Sequence, residues 1–147
     1  MREILFRGKS TRDHKWHIGA YIPSYEQRWS CQEQTAKTKP VIEFVRNDFI
    51  PDFAVVDDTT VGQFTGMTDK NGKRIFEGDI VKDARNKVGY VAFLQQAAGW
   101  VIVWDGCDSR MGHRTRDCNY DSDASLEVIG NIHDNPELLE GGASDGI

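Results

Sequence analysis

Between Thr60 and Ile132 the chain is a succession of short β-prone runs, cut at close intervals by glycine, asparagine and aspartate. That punctuation leaves no room for a long amphipathic helix and points to strands joined by tight turns. Val61-Gly62-Gln63-Phe64-Thr65-Gly66 leads into Met67-Thr68-Asp69-Lys70-Asn71-Gly72-Lys73-Arg74-Ile75-Phe76, where Asn71-Gly72 marks a hairpin because both residues tolerate positive φ. Glu77-Gly78 is a second turn, and Asp79-Ile80-Val81-Lys82 opens the next strand. Val88 to Leu94, the turn at Ala98-Gly99, and Trp100 to Trp104 give strand, turn, strand. By period two Val91 and Phe93 share one face while Tyr90, Ala92 and Leu94 share the other, and both faces are partly apolar. Leu126 to Ile132 is the last strand, and Asn135-Pro136 starts a short helix with Asn135 as N-cap.

The expected fold is therefore mostly β. Residues 60–135 form a small SH3-like barrel or roll, because a sheet of such short strands has exposed edges unless it curls on itself. The N-terminal part is a β-hairpin region. Glu3 to Gly8 and Trp16 to Ile22 are its strands, Ser10 to His14 its turn, and Pro23-Ser24 its end. Tyr25 to Pro40 is polar and without period, so it reads as a loop, followed by short runs at Val41–Val45 and Asp52–Asp57. Three segments result: 1–59, a β segment with a polar loop packed on the barrel; 60–140, the barrel with its terminal helix; and 141–147, a disordered tail.

Charge narrows the function classes. Residues 1–40 carry eight Lys/Arg against four acids, and the remainder ten against nineteen, so a basic start precedes an acidic body with −5 overall. Nonspecific phosphate binding needs clustered cations, and these sit singly, so a nucleic-acid role is the second reading rather than the first. No apolar run approaches the ~20 residues that span a bilayer, and the first residues do not resemble a secretory leader. Cys31, Cys107 and Cys118 are too scattered for a disulfide framework, which fits a reducing cytoplasm.

Catalytic signatures fail one by one. A phosphate-cradling loop ending at Gly72-Lys73 would need Gly where Met67 stands and Ser or Thr where Arg74 stands. Cys107, His113, Cys118 and His133 lack the close pairs of a zinc site, and Asp117, Asp121 and Asp123 lack the glycine and the bidentate glutamate of a calcium loop. No catalytic residue, metal or cofactor is assigned, although a paired-carboxylate hydrolase stays open as a third reading. The candidate partner-binding residues are Trp100 and Trp104, which share strand parity, and Arg110, His113, Arg114 and Arg116, which make the loop 105–125 locally basic. Barrel core is the competing reading of the two tryptophans.

Arg2-Glu3-Ile4-Leu5-Phe6-Arg7-Gly8-Lys9, Trp16 to Tyr21, the block from Thr60 through Lys73 to Val81, and Glu127 through Asn131-Ile132-His133-Asp134-Asn135-Pro136 to Leu139 together resemble the YopX-like proteins of phages and prophages. The blocks fall in order over nearly the whole chain and are weakest at 23–58 and 105–125. The resemblance implies an SH3-like β fold and a phage or prophage gene, and it brings no catalytic residues. A binding or assembly module follows, acting on an unknown protein partner or on itself as a homo-oligomer.

Overall fold

The computed structural model describes residues 3–26, 38–46, 49–105, 107–111 and 125–144. Among these are ten strands and one α-helix, so the protein is mostly β. The chain divides into two compact units, 1–63 and 64–147.

The N-terminal unit contains β1 (Phe6–Ser10), β2 (Trp16–Glu26), β3 (Thr38–Arg46) and most of β4 (Ile50–Thr68), in which the unit boundary falls. All pairings are antiparallel. β1 pairs with β2, β2 with β3 and β3 with β4, while β1 also pairs with β4. The β1–β2 turn is polar for a physical reason: Ser10 Oγ accepts the N–H groups of Arg12 and Asp13 (3.2 and 3.4 Å), and Asp13 Oδ1 accepts that of Lys15 (3.0 Å). Alternation then sorts the side chains. Val41, Ile42 and Val56 are buried, and the rings of Phe6 and Tyr21 lie 5.6 Å apart. At Gly19 the neighbouring strand comes so close that a Cβ would sit 1.9 Å from the Glu43 carbonyl oxygen, so no other residue fits.

Two expectations for this unit are corrected. Strand β2 does not end at Pro23-Ser24 but continues to Glu26, and β3 begins at Thr38, so both ends of the expected loop are strand. Ile22 pairs with Val41 and Tyr25 with Lys39, which sets Pro23 and Ser24 opposite Pro40 alone in a bulge. Prolines lack the N–H that a regular ladder would need, and an irregularity in the ladder is where strands tolerate them. Residues 27–37 lie outside the described residues. The runs at 52–57 and 61–66 are likewise one strand, β4. Its register jumps from Asp57 to Gly62 against β1, and Thr60 Oγ1 accepts the Lys9 N–H (2.9 Å) across that irregularity.

In the C-terminal unit the end of β4 pairs with β5 (Arg74–Phe76), and a five-stranded sheet follows in the order β10 (Glu127–Asn131), β6 (Asp79–Lys82), β7 (Val88–Leu94), β8 (Gly99–Trp104), β9 (Cys107–Arg110). Ile75, Val81, Val91, Ile102 and Leu126 form its core. Val101, on the opposite face of β8 from Ile102, is also buried, and helix α1 (Glu137–Ser144) lies against β7.

The turn of the β4–β5 hairpin shows what the most recognisable block is for. Asp69 donates its N–H to the Lys73 carbonyl (2.8 Å), and its Oδ1 accepts the N–H groups of Asn71 and Lys73 (2.8 and 2.9 Å). Gly72 alone adopts positive φ (78°), so Asn71 does not share that role. Asp83 repeats the device between β6 and β7: its Oδ1 accepts the N–H groups of Arg85 and Lys87, and Asn86 takes the left-handed position (φ 62°). An aspartate that accepts two N–H groups of its own turn therefore occurs twice among the described residues of this unit.

Three further expectations change here. Residues 107–110 of the expected loop form strand β9 on β8. Asn135 does not cap the helix with its side chain; its Oδ1 accepts the Asn131 N–H instead (3.4 Å). Helix α1 runs to Ser144, into the stretch read as a tail.

Candidate functional site

In the N-terminal unit the β1–β2 turn, β3 and the first half of β4 enclose a cleft of about 600 Å³. It is lined by Phe44, Phe53, Ala54 and Val55 together with Arg12, Asp13, His17, Lys39 and Asp52. The pairing of β1 with both β2 and β4 brings residues about forty positions apart together, and Thr11 donates its N–H to the Val55 carbonyl (3.0 Å) at the edge of the cleft. A second concavity, of about 300 Å³, lies against Ile22, Val41, Glu43 and Pro51.

His17 stacks on Phe44 with ring centroids 4.8 Å apart, which fixes the imidazole plane. Its Nε2 is buried without a hydrogen-bond partner, 3.8 Å from Asp13 Oδ1. The Lys15 N–H holds the Asp13 carboxyl below the ordinary aspartate range; burial works against this, and Ser10 and the facing His17 add to it. Asp52 is similarly engaged, since its Oδ1 accepts the Phe53 N–H (2.8 Å) and Oδ2 lies 3.9 Å from Arg46. Arg12 and Lys39, both exposed, form no ion pair among the described residues. The cleft thus combines two exposed cations, unpaired among the described residues, with two aromatic residues, while its acids are engaged by their own neighbours.

The tryptophans named from the sequence lie in the other unit and serve the core. Trp100 and Trp104 both pack against the Ile75–Leu126 cluster, as their shared parity with Ile102 requires. Trp100 meets Phe93 edge-on at 5.2 Å, and the Trp104 ring lies over Gly89, where a Cβ would stand 2.8 Å from Cε3. Phe93 is 48% exposed, so it does not share the burial of Val91. Arg110 of β9 pairs with Val101, one register position from Trp100 and three from Trp104. His113, Arg114 and Arg116 lie outside the described residues. Among the described residues no three His, Cys, Asp or Glu side chains group as a metal site would require, and no helix is long and apolar enough to cross a membrane.

Arg12, His17, Lys39, Phe44 and Phe53 were not singled out from the sequence. The basic excess of the first forty residues was their one visible trace, because nothing local shows that β3 and β4 fold over the first turn.

The described residues make a mostly β protein with one short terminal helix. A model of the family described as "YopX protein" matches residues 5–140, and the chain belongs to that family. Among solved structures it is similar to the crystal structure of protein EF1440 from Enterococcus faecalis, at 23% identity and a TM-score of 0.47, covering 95% of this chain and 99% of that one. No curated protein matches the chain.

Proposed function

We propose that this protein is a non-catalytic binding module encoded by a phage or prophage, with the cleft of the N-terminal unit as its recognition site and the C-terminal unit, an SH3-like roll, as scaffold. One observation carries the reading: two exposed cations and two aromatic residues line one cleft, a composition suited to holding a ligand. The acids of the most characteristic block support it, since they are committed to backbone. Asp69 accepts three N–H groups, and buried Asp79 accepts that of Phe76 (2.8 Å).

The test is to purify the tagged full chain from infected cells and compare wild type with the double variant R12E/K39E. The expected result is a protein or nucleic-acid partner retained by wild type and lost by the variant, both having the same melting temperature. Equal capture by the folded variant would remove the cleft from the reading.

Self-association is favoured by a separate observation. Val45 (65% exposed), Phe49 (89%) and Ile50 (51%) cluster where β3 turns towards β4. Light scattering on the eluted peak should show more than one copy at micromolar concentration, and a clean monomer refutes it.

A further inference from the structure

We infer that Asn71 is a modification site: its side-chain amide converts without an enzyme to aspartate and isoaspartate through a cyclic imide, and the conversion loosens the β4–β5 hairpin. The turn does not otherwise need an asparagine there. The Asp69 carbonyl accepts the Gly72 N–H (3.0 Å), Asp69 donates its own N–H to the Lys73 carbonyl (2.8 Å), and Gly72 is left-handed. This is the pattern of a type I turn closed by a left-handed residue. Asn71 holds the third place of that turn, which most residue types fill. It is exposed, and its side chain makes no hydrogen bond among the described residues. The β6–β7 turn supplies an internal comparison. Asn86 donates its N–H to the Asp83 carbonyl and Asp83 to that of Lys87 (both 3.0 Å), again with the fourth place left-handed. There Arg85 stands where Asn71 does, and Asn86 where Gly72 does. An arginine in the matching place shows that the turn is indifferent to asparagine.

The reaction needs only water. The backbone nitrogen of Gly72 attacks Asn71 Cγ; the new N–Cγ bond closes the imide, the Cγ–Nδ2 bond breaks, and ammonia leaves with the proton that Gly72 gave up. Water then opens the ring. Attack at the side-chain carbonyl gives aspartate, and attack at the main-chain carbonyl gives isoaspartate. Two features set Asn71 apart from Asn86. A side chain on the attacking residue crowds the approach, and Gly72 has none, with nothing within 4 Å of where a Cβ would stand; the residue after Asn86 is Lys87. The attacking nitrogen must also shed its proton. The Gly72 N–H points at a neutral carbonyl, whereas that of Lys87 is held by the Asp83 carboxylate (2.9 Å), a stronger bond that sets negative charge beside the forming anion. Asn71 is also the one asparagine of the chain that glycine follows.

Isoaspartate lengthens the main chain by a methylene inside the loop that Asp69 closes. The Gly72 and Lys73 N–H groups are then carried away from the Asp69 carbonyl and Oδ1. They are part of what fixes that carboxylate, whose Oδ2 accepts the Val128 N–H of β10 (3.0 Å). A change at the exposed tip of the hairpin thus reaches the edge of the five-stranded sheet.

The experiment is to incubate the folded full chain at neutral and at mildly alkaline pH and to follow Asn71 and Asn86 by peptide mapping with mass spectrometry. An isoaspartate-specific methyltransferase reads the second product. The expected result is conversion of Asn71, faster at the higher pH, and roughly tenfold or more faster than that of Asn86, the factor a charge-assisted bond at Lys87 is worth over a neutral one. Asn71→Ser should melt at the wild-type temperature and acquire no isoaspartate at this position. In the converted protein, amide exchange at Lys73 and Val128 should be faster than in Asn71→Ser carried through the same incubation. Conversion of Asn86 as fast as Asn71 overturns the inference. So does an Asn71 that stays intact in the folded protein over the time in which it converts in urea. Conversion that leaves exchange at Lys73 and Val128 unchanged overturns it as well, because the hairpin then has not loosened.

Discussion

Replacing Asp69 by Ala tests whether the central block is geometry. The carboxylate is 6% exposed and accepts three backbone N–H groups: Asn71 and Lys73 on Oδ1, and Val128 of β10 on Oδ2 at 3.0 Å. A hydrogen bond to a charged acceptor is worth about 1.5–3 kcal/mol, and the half-buried Val128 N–H, donated from another strand, is placed at the lower half of that range. The two turn donors can recover water, so they contribute about 0.5–1 kcal/mol each. The expected cost of D69A is therefore about 3 kcal/mol, or roughly 10 °C in melting temperature for a chain of this length. D69N keeps an acceptor for the turn but faces the Val128 N–H with another donor, so it should lose about 2 kcal/mol.

The pH dependence gives a second readout. Burial alone would raise the Asp69 carboxyl; the N–H groups of Val128, Lys73 and Asn71 outweigh it and hold the group below an aspartate's ordinary 3.8. A depressed carboxyl stabilises the fold above the ordinary range, and that contribution is lost as pH falls through the lowered value. The gap between wild type and D69A should hold at neutral pH and close in acid. Urea unfolding followed by tryptophan fluorescence, with amide exchange at Val128, measures both. A difference under about 0.5 kcal/mol at neutral pH, the size of an ordinary surface substitution, would refute the reasoning. So would a gap that persists unchanged in strong acid.

Further expectations concern the glycines and the tryptophans. Gly19→Ala should cost more than Gly72→Ala, because the first forces a Cβ to 1.9 Å from a backbone oxygen while the second meets nothing within 4 Å. The Gly72 change carries only the left-handed strain of about 1–2 kcal/mol, and equal losses in chemical denaturation would contradict this. Gly89→Ala should destabilise by about 1–3 kcal/mol and shift the emission of Trp104, whose ring it displaces. An unshifted spectrum with full stability would place that ring elsewhere. Trp100→Ala should lose about 2–4 kcal/mol, somewhat below a fully buried site, without affecting capture of the cellular partner; a stable variant that no longer captures it would return the tryptophan to the interface.

Local chemistry made the C-terminal unit legible. The hairpin at Asn71-Gly72, the turn at Gly78, strands β6 to β8 and β10, and the helix after Pro136 are each encoded within a few neighbouring residues. Alternation and turn preference are short-range effects, so a single sequence carries them. Where the pattern misled, a longer-range pairing had overridden it. Pro23 and Pro40 look like strand ends until the ladder places them in one bulge, and 107–110 look like loop until β8 supplies a partner. The two tryptophans could be read as core or as interface from parity alone, and the structure places both, partly buried, against the cluster that includes Ile102 and Leu126.

The cleft belongs wholly to tertiary structure. Its residues come from the first turn, from β3 and from β4, and none is near another group of them in the chain. The pairing of β2 with β3 brings His17 to the strand that holds Lys39 and Phe44, and the pairing of β1 with β4 brings the first turn and Arg12 to the strand that holds Phe53. Local preferences decide how each segment bends and which way its side chains alternate. Which segments meet is decided by the burial that all of them achieve together, and no short window of sequence contains that sum.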